Sequence, residues 1–321
     1  MKTEANQPDN SLIDQQTAAF MEEHGTAPFL DITNPVETIR ENFDAFYAVH
    51  GAPFEDVGNV ENRNIPVPNG DIAVRIYHPA GAPQGPLPIT VFYHGGGMVF
   101  GSLNSYDTMC RRMCNKSGSI FISVDYGLAP ENKFPKGIED SYAALLWASN
   151  NAKTINGDAS RIAVCGESGG GNISAVISQL AYQRKGPKLT FQVLIYPALG
   201  TRGNCKSIEL FSKGYFFEIS PLEWFYEQYL EDLSIASDPM IAPILAEDFS
   251  HVPPTFVVTA GFDMLRDGGE EYTTLLQRDG VDAHFHRYET TIHGFLCMAG
   301  AIDVGRDAID ECGEKLKAAF Q

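Results

Sequence analysis

One serine of the chain lies within a cluster of glycines whose spacing suits a nucleophile. Ser168 is at the centre of the sequence GESGG, residues 166–170, directly after an apolar run and directly before a helical pattern. A serine on a sharp turn between a strand and a helix projects its hydroxyl away from the sheet, and glycines on either side prevent collisions in that turn. The pattern predicts that Ser168 is a catalytic nucleophile. A tight turn that merely contains a serine is the alternative.

A second group of glycines suits the negative oxygen that forms when a serine attacks a carbonyl group. The sequence HGGG, residues 94–97, follows another apolar run. Backbone amides in such a loop are free to donate hydrogen bonds to an oxyanion. We therefore predict an oxyanion hole made by Gly95, Gly96 and Gly97, together with Gly169, the residue after the nucleophile. A phosphate-binding loop is the alternative, but neither of the usual glycine patterns for phosphate binding is present.

A serine nucleophile needs a base, which is most often a histidine. His293 lies in the loop after the last predicted strand, so we expect it at the same edge of the sheet as Ser168. His284 and His286 alternate along that strand, as structural or exposed residues do, and His251 precedes two prolines in a connecting loop. His293 is therefore the predicted base.

The base in turn needs a carboxylate that orients its ring. The parallel strand before that of His293 is followed by Asp263 and Asp267. Asp263 is nearer to the end of the strand and is the predicted acid, whereas Asp267 suits the first turn of the next helix, where negative charge is favourable. Glu289 is a further candidate, weakened by its position so close to His293 in the sequence.

The elements that must position these residues alternate between strand-like and helix-like patterns from residue 87 onward. Such alternation demands a mostly parallel sheet with helices on both faces. The predicted strands are 87–94, 119–126, 161–166, 189–197, 255–261 and 284–288, and the predicted helices are 105–118, 137–151, 168–184, 266–279 and 303–319. An earlier stretch, 64–79, predicts a hairpin that turns at Asn69-Gly70 and forms an antiparallel edge of the same sheet.

Two regions break the alternation, and we expect them to fold together as a cap above the sheet. Residues 1–45 are polar and helix-prone, and residues 199–240 contain the aromatic sequence PLEWFYEQYL. The expected division is an N-terminal cap (1–45), a cap insertion (199–240) and a catalytic domain (46–198 and 241–321). A cap excludes water and shapes the substrate pocket. A surface elaboration without that role is the alternative.

The composition excludes several kinds of protein. The chain has 321 residues and a formal net charge of −18, which argues against binding to nucleic acid and weakly against anionic substrates. No apolar run is long enough to cross a bilayer, and the polar start MKTEANQPDN lacks the core of a secretory signal. We therefore expect a soluble, cytoplasmic protein that does not bind membranes. The six cysteines are scattered without a metal-binding spacing, which predicts buried free thiols and no metal site.

Taken together, the motifs resemble those of the hormone-sensitive-lipase-like family of α/β-hydrolase esterases, of the bacterial carboxylesterase type. The resemblance covers about residues 64–320 and rests on HGGGMVFGS, DYGLAPENKFP, GESGGGN, GFDMLRDGGEEY and IHGF, in the order of the family. It implies the α/β-hydrolase fold, with an eight-stranded, mostly parallel sheet and a helical cap. It also implies a triad of Ser168, Asp263 and His293 that hydrolyses short- to medium-chain carboxylic esters without a metal or an organic cofactor.

Three residues depart from the usual pattern of this family. Glu167 stands where aspartate or threonine is frequent, Gly169 replaces the usual alanine, and Gly127 replaces a frequent arginine. None belongs to the triad, so these departures bear on the tuning of the site more than on its chemistry. Glycine at 169 and 171 weakens a helix, and we hypothesise that these two residues loosen the packing near the nucleophile.

The same residues leave other functions open. A triad of this kind can also cleave amides or aryl formamides, and a non-catalytic ligand receptor on the same scaffold is a more distant alternative, which the presence of His293 disfavours. The expected partner is a small-molecule ester. The sequence does not identify the substrate-binding residues. It does not define the oligomeric state either, and a homodimer is one option. Trp224, Phe225 and Tyr226 either bound an apolar pocket or form the core of the cap.

Overall fold

The sheet is built from eight strands within the part of the chain that the computed structural model describes, residues 8–68, 70–203, 205–218 and 222–321. The strands are β1 (Asn59–Val67), β2 (Gly70–His78), β3 (Leu87–Tyr93), β4 (Ile120–Val124), β5 (Gly157–Glu167), β6 (Phe191–Ile195), β7 (Thr255–Phe262) and β8 (Ala283–Ile292). Their order across the sheet is β1-β2-β4-β3-β5-β6-β7-β8. β2 pairs antiparallel with β1 and β4, and the other neighbours are parallel.

This arrangement confirms the predicted mostly parallel sheet with an antiparallel hairpin at one edge. Asn69, at the expected turn of that hairpin, lies outside the described residues. The helices of the described chain are α1 (Gln15–His24), α2 (Val36–His50), α3 (Asp107–Ser117), α4 (Lys136–Asn150), α5 (Gly169–Gln183), α6 (Lys206–Phe211), α7 (Leu222–Tyr229), α8 (Arg266–Arg278) and α9 (Asp303–Ala319). The five helices predicted between and after the strands are α3, α4, α5, α8 and α9.

The central strands are apolar on both faces because helices cover both faces. All seven residues of β3 and all eight residues of β7 are buried. Along β3 the side chains alternate, so that Phe92 packs in a cluster with residues of α3 and α9, whereas Val91 packs in a second cluster with residues of α4 and α5. The residues at the carboxyl ends of the parallel strands are thus carried by a rigid, buried frame.

The first helix of the chain is attached to the last strand of the sheet. The amide of Asp14, at the start of α1, donates a hydrogen bond to the carbonyl oxygen of Thr290 in β8 at 3.0 Å. Within α1, the hydroxyl of Thr17 lies 3.1 Å from that of Thr291, and both side chains are fully buried. Because β8 leads directly to His293, the N-terminal helices are tied to the loop that carries the predicted base.

The N-terminal helices also contact the segment that follows β6. The amide of Ala27 donates to the carbonyl oxygen of Phe216 at 2.9 Å, and the rings of Phe20 and Phe216 are 5.7 Å apart. α2 continues to His50, so the expected boundary at residue 45 falls inside a helix. Of the two expected cap segments, residues 1–7, 204 and 219–221 lie outside the described residues.

The six cysteines are free thiols, and five of them are buried, as predicted, whereas Cys205 is half-buried. In the described ranges, none of the helices is both long enough and apolar enough to span a bilayer. The described side chains likewise contain no group of three or more His, Cys, Asp or Glu residues with a geometry suited to a metal ion.

Candidate active site

Ser168 lies on the sharp turn between β5 and α5. Its backbone angles are φ 52° and ψ −114°, a conformation that residues other than glycine rarely adopt. The turn is closely packed, since a Cβ atom on Gly166 would collide with the carbonyl of Gly170, and a Cβ atom on Gly170 would collide with the carbonyl of Tyr93. The amide of Ser168 also donates to the carbonyl oxygen of Ile195 at 2.8 Å. The structure therefore has the strained turn that the sequence GESGG predicts.

The two additional glycines of this turn have close neighbours. A Cβ atom on Gly171 would lie 2.8 Å from the Cβ atom of Pro197, and a Cβ atom on Gly169 would lie 3.1 Å from the amide nitrogen of Gly97. Close packing, and not loose packing, therefore accounts for Gly171, because alanine there would force Pro197 to shift. An alanine at 169 would make a tight contact, and the hypothesis that Gly169 loosens the packing stays a hypothesis.

Three side chains from the carboxyl ends of β5, β7 and β8 meet at one edge of the sheet. Nε2 of His293 is 3.0 Å from Oγ of Ser168, and Nδ1 is 2.8 Å from Oδ2 of Asp263. The other oxygen of Asp263 accepts a hydrogen bond from the amide of Leu265 at 2.9 Å. These partners assign the ring proton to Nδ1, so that Nε2 accepts from the serine hydroxyl. All three side chains are buried.

The alternative acids and bases lie elsewhere. Asp267 is in the first turn of α8, where its carboxylate accepts a hydrogen bond from the amide of Ser207 at 2.8 Å. Glu289 is largely exposed and forms an ion pair with Arg287. The other histidines that follow the nucleophile in the sequence contact acidic residues away from this cluster: His251, His284 and His286.

The surroundings of His293 favour its charged form. Burial opposes a charge on the ring, but the Asp263 carboxylate, and more distantly that of Glu167, leave the pKa of His293 above its ordinary value. The ring of Phe217 stacks on the imidazole with centroids 4.9 Å apart and an interplanar angle of 28°. The site thus favours an imidazolium, the form that a ring acting as a base toward a serine must take up.

Glu167, which the sequence linked only to the tuning of the site, is a buried carboxyl. It is 3% exposed, and its Oε2 accepts a hydrogen bond from the hydroxyl of Tyr106 at 2.8 Å. Burial raises the pKa of Glu167, and His293 and the hydroxyls of Tyr106 and Tyr196 offset part of that rise. A Cβ atom on Gly95 would overlap this carboxyl. The first glycine of HGGG therefore makes room for Glu167.

The remaining glycines of HGGG lie beside the nucleophile. Gly96, Gly97 and Gly169 line the same cavity as Ser168, whereas Gly95 is not part of the cavity wall. Within the described chain, the backbone amides of these three cavity glycines have no hydrogen-bond acceptor. They are therefore available to a ligand, while Gly95 packs behind them against Glu167.

A largely apolar cavity lies above Ser168, and nine of the residues in its wall are phenylalanine or tyrosine. The aromatic residues of the wall are Phe29, Phe43, Tyr47, Phe100, Tyr106, Phe217, Phe225, Tyr226 and Tyr229. Phe225 and Tyr226 thus face the cavity, whereas Trp224 packs against Phe225 with ring centroids 5.3 Å apart. None of the described residues of the wall is lysine or arginine. The sequence predicted that residues 1–45 cover the pocket, but it did not predict which of their side chains reach the cavity, because no sequence pattern shows where α2 packs.

Comparisons with known proteins agree with this architecture. A sequence model of the alpha/beta hydrolase fold family matches residues 90–297. The chain is 39% identical over 244 residues to the carboxylic ester hydrolase LipN of Mycobacterium tuberculosis, covering 74% of this chain and 64% of LipN, which is just under two thirds of that protein. It is 34% identical over 284 residues to the esterase LipI of the same organism, covering 88% of each chain.

Solved structures point to the same class. An ester-hydrolase from the metagenome of Lake Arreo, complexed with a derivative of bipyridine phosphonate, superposes with a TM-score of 0.91 at 35% identity, covering 96% of this chain and 99% of that one. The chain therefore belongs to the α/β-hydrolase family, and the predicted resemblance to its hormone-sensitive-lipase-like esterases is confirmed.

Proposed function

We propose that this protein is a carboxylesterase that hydrolyses short- to medium-chain acyl esters through an acyl-enzyme. The observation that carries the proposal is the pair of hydrogen bonds made by His293, at 3.0 Å to Ser168 and at 2.8 Å to Asp263. The relatives named as carboxylic ester hydrolase and esterase support the substrate class. A largely apolar cavity without a lysine or arginine among its described residues suits an uncharged, apolar ester.

In the first half of the proposed reaction, Oγ of Ser168 attacks the ester carbonyl carbon while its proton passes to Nε2 of His293. Asp263 keeps the ring in position through Nδ1 and stabilises the imidazolium. The negative oxygen of the tetrahedral intermediate accepts hydrogen bonds from the cavity amides of Gly96, Gly97 and Gly169, near the positive end of the α5 dipole. The imidazolium then protonates the leaving alcohol, and the acyl-enzyme remains.

In the second half, water replaces the alcohol. Nε2 of His293 takes a proton from the water as its oxygen attacks the acyl carbon, and the same amides hold the second oxyanion. The proton then returns to Oγ of Ser168 as the carboxylic acid leaves. In this scheme Gly95, which the sequence analysis placed in the oxyanion hole, serves instead to accommodate Glu167.

We also propose that α1, α2 and the described parts of 199–240 act as the cap over this site, with the remainder of the chain as the catalytic domain. The proposal rests on the wall of the cavity, to which Phe43 of α2 and Phe225 of α7 both contribute. The contacts of Ala27 and Phe20 with Phe216 connect the two segments directly. A cap of this kind removes water from the reacting groups and so strengthens their electrostatic interactions.

The function is tested with Ser168→Ala and p-nitrophenyl butyrate. We expect the variant to keep its circular dichroism spectrum and thermal transition while hydrolysis falls to the background rate, because the nucleophile is lost. Retained turnover by the folded variant would contradict the proposal. The matched anilide of butyric acid, assayed beside the ester, distinguishes an esterase from an amidase with the same triad.

A further inference from the structure

Tyr229 carries a hydroxyl group that the proposed mechanism does not use. It is the last residue of α7, it lines the cavity and it is only 5% exposed. Among the described residues, none offers this hydroxyl a hydrogen-bond partner. An unpaired buried hydroxyl costs about 1–3 kcal/mol, whereas phenylalanine would fill nearly the same volume without that cost. A partner that arrives with the substrate would remove the penalty.

Tyr229 lines the same cavity as Gly96 and Gly97 of the glycine loop. A second buried tyrosine, Tyr126, contacts that loop. The hydroxyl of Tyr126 already donates to the carbonyl oxygen of His94 at 2.8 Å, at the start of that loop. Tyr126 is thus committed to holding the loop, whereas Tyr229, a residue of the cavity wall, has a hydroxyl with no partner among the described residues.

A second buried polar atom of the cavity wall also lacks a partner. Asn172 is 2% exposed, and its Nδ2 donates to the carbonyl oxygens of Ala198 and Ile241, both at 2.7 Å. These two bonds fix the orientation of the amide. Its Oδ1 is left with no donor among the described residues. The wall therefore offers one atom that only accepts hydrogen bonds and, at Tyr229, one hydroxyl that both donates and accepts.

We propose that Tyr229 is a specificity-determining residue and that the preferred esters carry a hydroxyl group on one arm. A substrate hydroxyl donates and accepts, so it matches the hydrogen-bonding roles left open at Asn172 and Tyr229, whereas an apolar arm leaves both atoms unpaired. Sites with buried polar groups reject analogues that cannot pair with them. This inference rests on the proposed esterase function and defines its substrate class more narrowly.

The test uses pairs of substrates in which a hydroxyl replaces a methyl group of nearly equal size. On the acyl arm, each enantiomer of p-nitrophenyl 3-hydroxybutyrate is compared with p-nitrophenyl 3-methylbutyrate. On the alcohol arm, each enantiomer of 2-hydroxypropyl butyrate is compared with 2-methylpropyl butyrate. In at least one pair we expect the full-length enzyme to have a higher kcat/KM for the hydroxyl compound, and Tyr229→Phe to reduce that ratio about three- to tenfold, the effect of one hydrogen bond.

Tyr272→Phe is the matched control. The hydroxyl of Tyr272 is also buried, but it lies beside the side chains of Gln179 and Gln192 in the core cluster of β7 and α8, outside the cavity. We expect Tyr229→Phe to leave Tm unlowered, since no hydrogen bond is lost there, and we expect only Tyr229→Phe, not Tyr272→Phe, to change the ratio.

Two results would overturn the inference. One is an unchanged hydroxyl-to-methyl ratio in Tyr229→Phe for both pairs. The other is a lowered Tm in Tyr229→Phe together with an equal loss of activity on both members of a pair, which would mark the hydroxyl as structural. Failure of the esterase proposal is seen separately, because the unmodified enzyme would then leave p-nitrophenyl butyrate intact.

Discussion

His293 lies between two buried carboxyls, one that it contacts and one that it does not. Asp263 makes the hydrogen bond, and its place could be predicted because it directly follows a buried strand. Glu167 acts on the ring through space, and its role could not be predicted, since a glutamate beside a nucleophile can point to solvent as easily as into the cavity. Burial decides between these directions, and burial depends on Tyr106 and Gly95, which are distant in the sequence.

Replacing Glu167 by glutamine keeps its size and its contact with Tyr106 but removes its charge. In the proposed mechanism His293 must be neutral to accept the serine proton, so we expect activity to fall as pH decreases through its pKa. Burial opposes the charged ring and Asp263 dominates the rise in that pKa, to which Glu167 adds. In Glu167→Gln we therefore expect the acidic limb of the pH profile of kcat/KM to move to lower pH. The exposed Glu289→Gln serves as the control, and a limb that stays in place in both variants refutes the electrostatic role of Glu167.

Replacing Asp263 by asparagine tests the choice of acid. The amide can stabilise the wrong tautomer of His293, and in serine protease triads the equivalent change lowers kcat by about 10⁴. We expect a loss of similar size with p-nitrophenyl butyrate. Asp267→Asn, at the start of α8, should keep kcat within a few-fold. Comparable losses in the two variants would remove Asp263 from its proposed role.

At the scale of elements, runs of apolar residues were sufficient to predict the strands that are buried along most of their length. The apolar runs at β3, β5 and β7 predicted their strands because parallel strands in the middle of a sheet are buried on both faces. The order of the strands, with β4 between β2 and β3, was not predictable, since it depends on contacts distant in the sequence. The contact between Gly171 and Pro197 was also not predictable, because it arises only when α5 packs against the segment after β6.

Gly171→Ala separates two opposing effects on α5. Intrinsic helix propensity alone would stabilise the protein by about 0.5–1 kcal/mol. The added methyl group would lie 2.8 Å from the Cβ atom of Pro197, whose ring has little freedom to move. Overpacking of this kind costs about 1–3 kcal/mol, so we expect a lower free energy of unfolding in urea. A variant more stable than the parent protein would show that the contact relaxes without strain.

At the scale of the whole molecule, the net charge of −18 and the composition of the cavity wall both disfavour negatively charged substrates. The described wall contains Glu167 but no lysine or arginine, so the local site does not counteract the negative field of the protein. We expect p-nitrophenyl hemiglutarate, which carries a carboxylate, to have a kcat/KM at least about tenfold below that of p-nitrophenyl pentanoate at low ionic strength. Added salt should bring the two kcat/KM values closer together, because it screens the repulsion between the protein and the carboxylate of the substrate. Equal values for the two substrates would contradict this expectation.

The link between α1 and β8 has a consequence for what holds the predicted base in place. The buried hydroxyls of Thr17 and Thr291 meet only two positions before His293, and the Asp14 amide is bonded to the neighbouring carbonyl. A displacement of the first helix would therefore act on the strand that leads to His293. Removing this helix would leave Ser168, Asp263 and His293 in the chain but would take away two contacts that hold the end of β8 in place.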